Sequence, residues 1–152
     1  VESRCELAKK IGVEHIINPI TEDIVERAME ITNGLGYDVI LECSAVPSAA
    51  VNMLKVSAKY ANILYVAQFP VDYEMPLNLF EYCYMRQVNI TGMYCAHFNF
   101  ERTAEYLKYV DLSAFTADEQ VYDIDDVEEA FKMHLTSKYP KILIRCNKFE
   151  GE

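Results

Sequence analysis

The side chains that could ligate a metal or act as a nucleophile are few: five cysteines (Cys5, Cys43, Cys83, Cys95, Cys146) and three histidines (His15, His97, His134) in 152 residues. A structural or catalytic zinc takes Cys, His and carboxylate ligands, which in sequence show as close Cys or His pairs. Here the cysteines stand singly, there is no Cys-x-x-Cys, and no histidine stands at metal-ligand spacing. Neither a zinc site nor a disulfide framework is indicated, and reduced thiols in a cytoplasmic protein are the plain expectation. His97 follows a candidate strand and could face a cleft, although a lone histidine is more often packed or solvent-facing. His134 stands beside the apolar face of the last long helix, where core packing is expected. The acidic runs Asp118-Glu119 and Asp123 to Glu129 read as helix caps and a solvated face. No residue is assigned to catalysis or to a metal.

The elements that would position such residues alternate. Glu6 to Ile11 are good helix formers, and Gly12 follows as a C-terminal cap would. His15-Ile16-Ile17, stopped by Asn18-Pro19, reads as a short strand. Thr21 is the expected N-cap of a helix carrying Ile24, Val25, Ala28 and Ile31, ended by Asn33, Gly34 and Gly36. Tyr37 to Cys43 is a nearly unbroken apolar run of the kind found in a strand covered on both faces. Ser48 to Ala58 reads as a helix, Ile63 to Ala67 as a second buried strand, Leu77 to Met85 as a short helix, and Val88 to Met93 as a third strand. Phe100 to Val110 follows as an amphipathic helix and Gln120 to Ile124 as an extended stretch. Asp125-Asp126 then caps a helix whose apolar face is Val127, Ala130, Phe131 and Leu135, and Lys141 to Arg145 makes a last strand. Strand, helix, strand is the alternation of an α/β fold with a parallel sheet.

Composition bounds the function. The chain is 51% hydrophobic and 25% charged, as expected of a soluble globular protein with a real core. Its formal net charge of -10 disfavours binding to a nucleic-acid backbone. The apolar runs fall far short of the roughly 20 residues a membrane span needs, so no membrane partner is expected. The chain opens at Val1 rather than Met, directly in helix-forming sequence, which reads as a cut.

Five stretches in order carry a resemblance: Ser3 to Gly12, Tyr37 to Ala49 (YDVILECSAVPSA), Val88 to Gly92, Asp126 to Phe131, and Lys141 to Leu143. Along nearly its whole length the chain resembles the medium-chain dehydrogenases that include alcohol, sorbitol and threonine dehydrogenases. The resemblance implies a Rossmann coenzyme domain, incomplete here and lacking its first two strands, over residues 1–95. Residues 96–152 would be a C-terminal segment returning to the catalytic domain. It implies NAD or NADP as coenzyme and a zinc held by residues that this sequence does not contain. The substrate implied is a small alcohol or polyol, oxidised by hydride transfer to nicotinamide. The pyrophosphate-binding Gly-x-Gly-x-x-Gly and the acidic residue that holds the adenosine ribose are both missing. The chain alone is therefore expected to be inactive. A zinc-free reductase of the same lineage, or a nucleotide-binding module without a catalytic half, are the alternatives.

What the resemblance carries over are coenzyme contacts. Arg4 would lie beside the adenosine ribose or adenine, unless it is only a solvated charge at a helix end. Cys43, Ser44 and Ala45 would follow the chain past the adenine, and a plain strand end is the alternative. Val66, Ala67 and Gln68 would offer backbone groups to the nicotinamide carboxamide. Met93, Tyr94 and Cys95 would face the nicotinamide ring or simply pack. Lys141 would reach the pyrophosphate or stay a solvent lysine. Two departures bear on the pocket: Lys59-Tyr60-Ala61-Asn62 stands where relatives have a glycine-rich turn, and Ala67-Gln68 replaces a common glycine.

In the complete fold the strand order is 3-2-1-4-5-6, so two strands would separate the His15 strand from the Val39 strand by about 14 Å. Without them the His15 strand is expected to be displaced or melted, or the sheet to be completed by another molecule. The strand Val88 to Met93 would lie at an edge, and relatives dimerise by pairing it across a two-fold axis. A homodimer is expected there.

Overall fold

The computed structural model describes residues 2–95 and 98–147, so His97 lies outside the described residues. In chain order the elements are α1 (Glu2–Lys10), α2 (Ile24–Ile31), β1 (Tyr37–Glu42), α3 (Pro47–Lys55), β2 (Ser57–Tyr65), β3 (Asn89–Gly92), α4 (Phe100–Leu107), β4 (Val121–Asp123), α5 (Val127–Leu135) and β5 (Leu143–Arg145). A π-helical turn, Phe80–Met85, precedes β3. The chain divides into two compact units, residues 17–100 and residues 1–16 with 101–152.

In the unit 17–100 the sheet is parallel with order β1-β2-β3. Its apolar core gathers Ala28 from α2, Leu54 from α3, and Ile40, Ile63 and Val88 from the sheet and its entry. Both helices thus cover the face that carries Ile40 and Ile63, which are partners across β1 and β2. The fold is α/β, as the alternation of apolar segments requires. The expectation that β1 is covered on both faces is corrected: Val39 is 67% and Leu41 60% exposed, because side chains alternate along a strand and only one face meets helices.

Other differences are local. His15-Ile16-Ile17 forms no strand; a parallel strand exists only through a partner's hydrogen bonds, and no described strand pairs with it. Ile17 instead packs against the core. The N-cap of α2 is Asp23 rather than Thr21, with Asp23 Oδ1 accepting from the Val25 and Glu26 N–H groups at 2.9 Å each. Glu22 turns back to accept from the Asn18 N–H at 2.7 Å. Asn33, with φ of 52°, closes α2 in the left-handed conformation that asparagine tolerates. β2 begins at Ser57, so the glycine-poor stretch Lys59 to Asn62 lies inside the strand; Tyr60 there adopts φ of 64° and shifts the register against β1.

In the other unit, β4 and β5 pair in parallel and α5 packs on them. Gly12 closes α1 as expected, with the Val13 N–H donating to the Ala8 carbonyl at 2.9 Å. Asp126 stands at the N-cap of α5 but makes no side-chain capping bond, because Ile124–Asp126 forms a 3-10 turn first. Ala130 is buried, while Phe131 and Leu135 are exposed. His134 is exposed too, lining an apolar depression with Ala130, Phe131, Ile142 and Ile144 rather than packing in a core.

Candidate functional site

The three parallel strands end level. Glu42 stands opposite Tyr65, and Tyr65 opposite Gly92, so the turns after β1, β2 and β3 leave from one edge of the sheet. In open α/β sheets this carboxyl edge is where ligands bind. Here two of the turns are tied by their backbones to the end of the preceding strand. The Val66 and Ala67 N–H groups both donate to the Glu42 carbonyl, at 2.9 and 3.1 Å, and the Met93 N–H donates to the Tyr65 carbonyl at 3.1 Å.

Glu42 is the residue that sequence reasoning passed over. It is only 2% exposed, and its carboxylate lies in the turn that follows its own strand. Oε1 accepts from the Ser44 N–H at 2.8 Å and from the Ser44 hydroxyl, while Oε2 accepts from the Ala45 N–H at 3.4 Å. The Ser44 hydroxyl oxygen also accepts from the Val46 N–H at 3.2 Å. Ser44 thus braces the turn, its hydroxyl donating to Glu42 and accepting from Val46. A signal existed: an acid ending an apolar strand, with no base near it in sequence, must find N–H donors or stay solvated.

Two turns at this edge hold non-glycine residues in the left-handed region, Ala45 at φ 57° and Cys95 at φ 54°. Such residues cost about 1 kcal/mol and persist only where their surroundings hold them. Ala45→Gly is accordingly expected to raise stability by roughly 0.5–1 kcal/mol, offset in part by the freedom glycine adds to the unfolded chain. Urea melts of the two proteins would read the difference, and a lower midpoint for the glycine variant would count against strain at this turn.

Under the turn after β2 lies an aromatic group. The Tyr65 ring meets Phe69 edge-on at 6.1 Å between centroids, Phe69 stacks on Tyr73 at 5.3 Å, and the Tyr65 hydroxyl donates to the Ala50 carbonyl at 3.0 Å. Burial, followed by the proximity of Tyr73 and Glu42, pushes the Tyr65 phenol up to about 12. The folded state therefore holds this proton more tightly than the unfolded chain, whose tyrosines ionise near pH 10. Stability from this group is fully present below about pH 10 and is lost as pH rises toward 12. Tyr65→Phe is expected to flatten the alkaline limb of a stability-versus-pH curve between those values. An unchanged limb would mean that other groups govern alkaline unfolding.

Ser44, Ala45, Val66, Ala67, Gln68, Met93 and Cys95 thus share one sheet edge. Val66 and Ala67 are half-buried; Gln68, Met93 and Cys95 are exposed. Arg4, exposed in the first turn of α1, and Lys141, exposed just before β5, belong to the other unit. All five cysteines are free thiols. Among the described residues no group of three or more His, Cys, Asp or Glu could hold a metal ion, so they do not fit a zinc site. No helix among them is long and apolar enough to cross a membrane.

Comparison with known proteins agrees with this architecture. Residues 1–113 match the family model described as zinc-binding dehydrogenase. The chain is 38% identical over 51% of its length to an L-threonine 3-dehydrogenase of Pyrococcus furiosus, covering 22% of that protein. It is 27% identical over 93% of its length to a sorbitol dehydrogenase of Halalkalibacterium halodurans, covering 41% of it. A crystal structure of a candidate zinc-binding dehydrogenase from Clostridium scindens superposes with a TM-score of 0.88 at 28% identity, over 97% of this chain and 41% of that one. Benzyl alcohol dehydrogenase from Acinetobacter calcoaceticus shares the fold at a TM-score of 0.77 and 23% identity, over 97% of this chain and 41% of its own. The chain thus spans about two-fifths or less of the length of these proteins. Its parallel sheet and helices correspond to the Rossmann-like, coenzyme-binding domain of the medium-chain dehydrogenases, and the chain belongs to the zinc-binding dehydrogenase family.

Proposed function

We propose that this chain forms the coenzyme-facing part of an NAD(P)-linked, zinc-dependent dehydrogenase of secondary alcohols or polyols. Residues 1–95 belong to its dinucleotide-binding domain and residues 96–152 to a segment returning to its catalytic domain. The observation that carries this reading is the level carboxyl edge of β1, β2 and β3, with the turns after β2 and β3 each tied by backbone hydrogen bonds to the last residue of the preceding strand. The coenzyme, when bound, supplies the hydride acceptor. The chain's own residues would hold and orient it: the Ser44-Ala45 turn against the adenine side, the Val66 to Gln68 backbone against the carboxamide, and Met93 to Cys95 against the nicotinamide ring. Arg4 would meet the ribose and Lys141 the pyrophosphate. The zinc would be bound by residues outside those described, and no step here runs through it.

We place the protein in the cytoplasm on its free thiols, four of them exposed. Two copies would pair through the strand Val88 to Met93, because β3 presents every residue to solvent and its outer edge is a template for a second strand. Light scattering on the purified protein reads this pairing directly.

The reading is tested on the complete gene product that contains residues 1–152. With NAD+ or NADP+ and a panel of secondary alcohols and polyols it should produce reduced coenzyme, and removal of metal by a chelator should abolish turnover until zinc is restored. The 152-residue chain alone should give none. Turnover that survives complete metal removal would instead indicate a zinc-free reductase. Coenzyme binding without turnover of any alcohol would indicate a non-catalytic module.

A further inference from the structure

We infer that the Glu42 side chain is a positioning group for the coenzyme, fixing the path of the turn after β1 beside the turn after β2. The inference rests on the coenzyme reading above. The Glu42 side chain accepts hydrogen bonds from Ser44 and Ala45 in the turn after β1, and its backbone carbonyl, which any residue there would supply, accepts from Val66 and Ala67 in the turn after β2. These are the segments assigned to the adenine and the carboxamide: the buried Glu42 carboxylate sets the path of the first, and the pairing of β1 with β2 sets the second beside it.

The geometry also says why a side-chain acceptor is needed. Ser44 and Ala45 turn two successive backbone N–H groups inward, a pattern that concentrates donors and calls for an acceptor oxygen between them. Ala45 is held left-handed at φ 57°, a conformation alanine leaves readily once those bonds are lost. Without the carboxylate the turn is expected to relax to an extended path, and the backbone carbonyls it presents to a ligand would swing away. The Ser44 hydroxyl, bonded to Glu42 and Val46, adds to the hold on this turn, and the backbone position the turn presents is what Glu42 sets.

Both stronger bonds fall on one oxygen, Oε1, while Oε2 accepts only the long contact from Ala45. Glutamine offers a carbonyl oxygen at the Oε1 position. Glu42→Gln should therefore rescue most of what Glu42→Ala loses.

The test uses the complete gene product containing this chain. NADH affinity is read by coenzyme fluorescence, together with KM for coenzyme, kcat, and amide exchange over residues 43–46. For Glu42→Ala the dissociation constant and the coenzyme KM should rise about tenfold or more, with kcat at saturating coenzyme nearly unchanged and faster amide exchange at Ser44 and Ala45. Glu42→Gln should stay within about threefold of the parent. A role in stability alone would lower the melting temperature and leave the affinity of the folded protein untouched, which would overturn the inference. Unchanged exchange in a Glu42→Ala protein that still binds NADH normally would overturn it too, with the coenzyme reading intact. Failure of the parent protein to bind NADH or NADPH would instead bring down the coenzyme reading, and the inference with it.

Discussion

Gly36→Ala is expected to destabilise the chain by roughly 3 kcal/mol or more, a large share of the roughly 5–15 kcal/mol that holds a typical domain folded. Gly36 enters β1 at φ 80°, where any L side chain carries the strain of the left-handed region. A Cβ built there would stand 2.7 Å from the Ser57 carbonyl carbon, 2.7 Å from the Val56 carbonyl oxygen and 2.8 Å from the Ala58 nitrogen. All three are backbone atoms at the start of β2, and Ser57 and Val56 are buried, so no side chain can swing aside to relieve the clash. The strand pair itself would have to part, loosening the Tyr37 N–H bond to the Val56 carbonyl at 2.9 Å. Gly34 is the control, with φ 79° and nothing within 4 Å of its added Cβ. Gly34→Ala should cost only the backbone part, about 1 kcal/mol. Equal losses for the two variants in urea melts would refute the close approach of β1 and β2 at this point.

Leu54→Ala is expected to cost about 2–5 kcal/mol. Leu54 is 1% exposed and is the side chain through which α3 meets Ile40, Ile63 and Val88. Its backbone cannot follow a shrunken side chain inward. The Leu54 carbonyl accepts from the Ser57 hydroxyl at 2.7 Å and from Arg86 Nη1 at 3.4 Å, which pins this end of α3 between β2 and the segment before β3. A cavity should therefore remain, placing the loss toward the upper part of that range. Leu79→Ala, at an exposed position of the same unit, should stay within about 0.5 kcal/mol of the parent. Thermal or urea unfolding of both variants decides the matter, and a loss at Leu54 no larger than at Leu79 would contradict the core described.

Much of this fold could be read before the structure. The run Tyr37 to Glu42 is apolar enough to be a strand under any packing, and the helix that follows declares itself by spacing. What could not be read depended on partners. Val39 and Leu41 look like a doubly covered strand, but whether a second layer meets them is a property of tertiary packing. His15 to Ile17 has strand composition, yet composition cannot supply a neighbour to bond with. Thr21 and Asp23 are both good caps, and the choice between them turns on Glu22 folding back to Asn18.

The candidate site shows the same division. Strand order brings Ser44, Val66 and Met93 to one edge, and that much follows from parallel topology. The left-handed backbones of Ala45, Tyr60 and Cys95 had no glycine or asparagine to announce them. Glu42 was hidden because an acid at the end of a strand reads as solvated until its donors are seen. Arg4 and Lys141 were assigned by resemblance alone, and each stands exposed in the unit that does not contain the strand edge.

The central claim, that the carboxyl edge of this sheet faces a dinucleotide, is tested most directly by a crystal structure of the complete gene product with NADH bound. The nicotinamide is expected within van der Waals reach, about 4 Å, of Met93 to Cys95, with its carboxamide on the Val66 to Gln68 backbone. Coenzyme density at the opposite edge, beside Gly36 and Tyr60, or clear of all three turns, would contradict it.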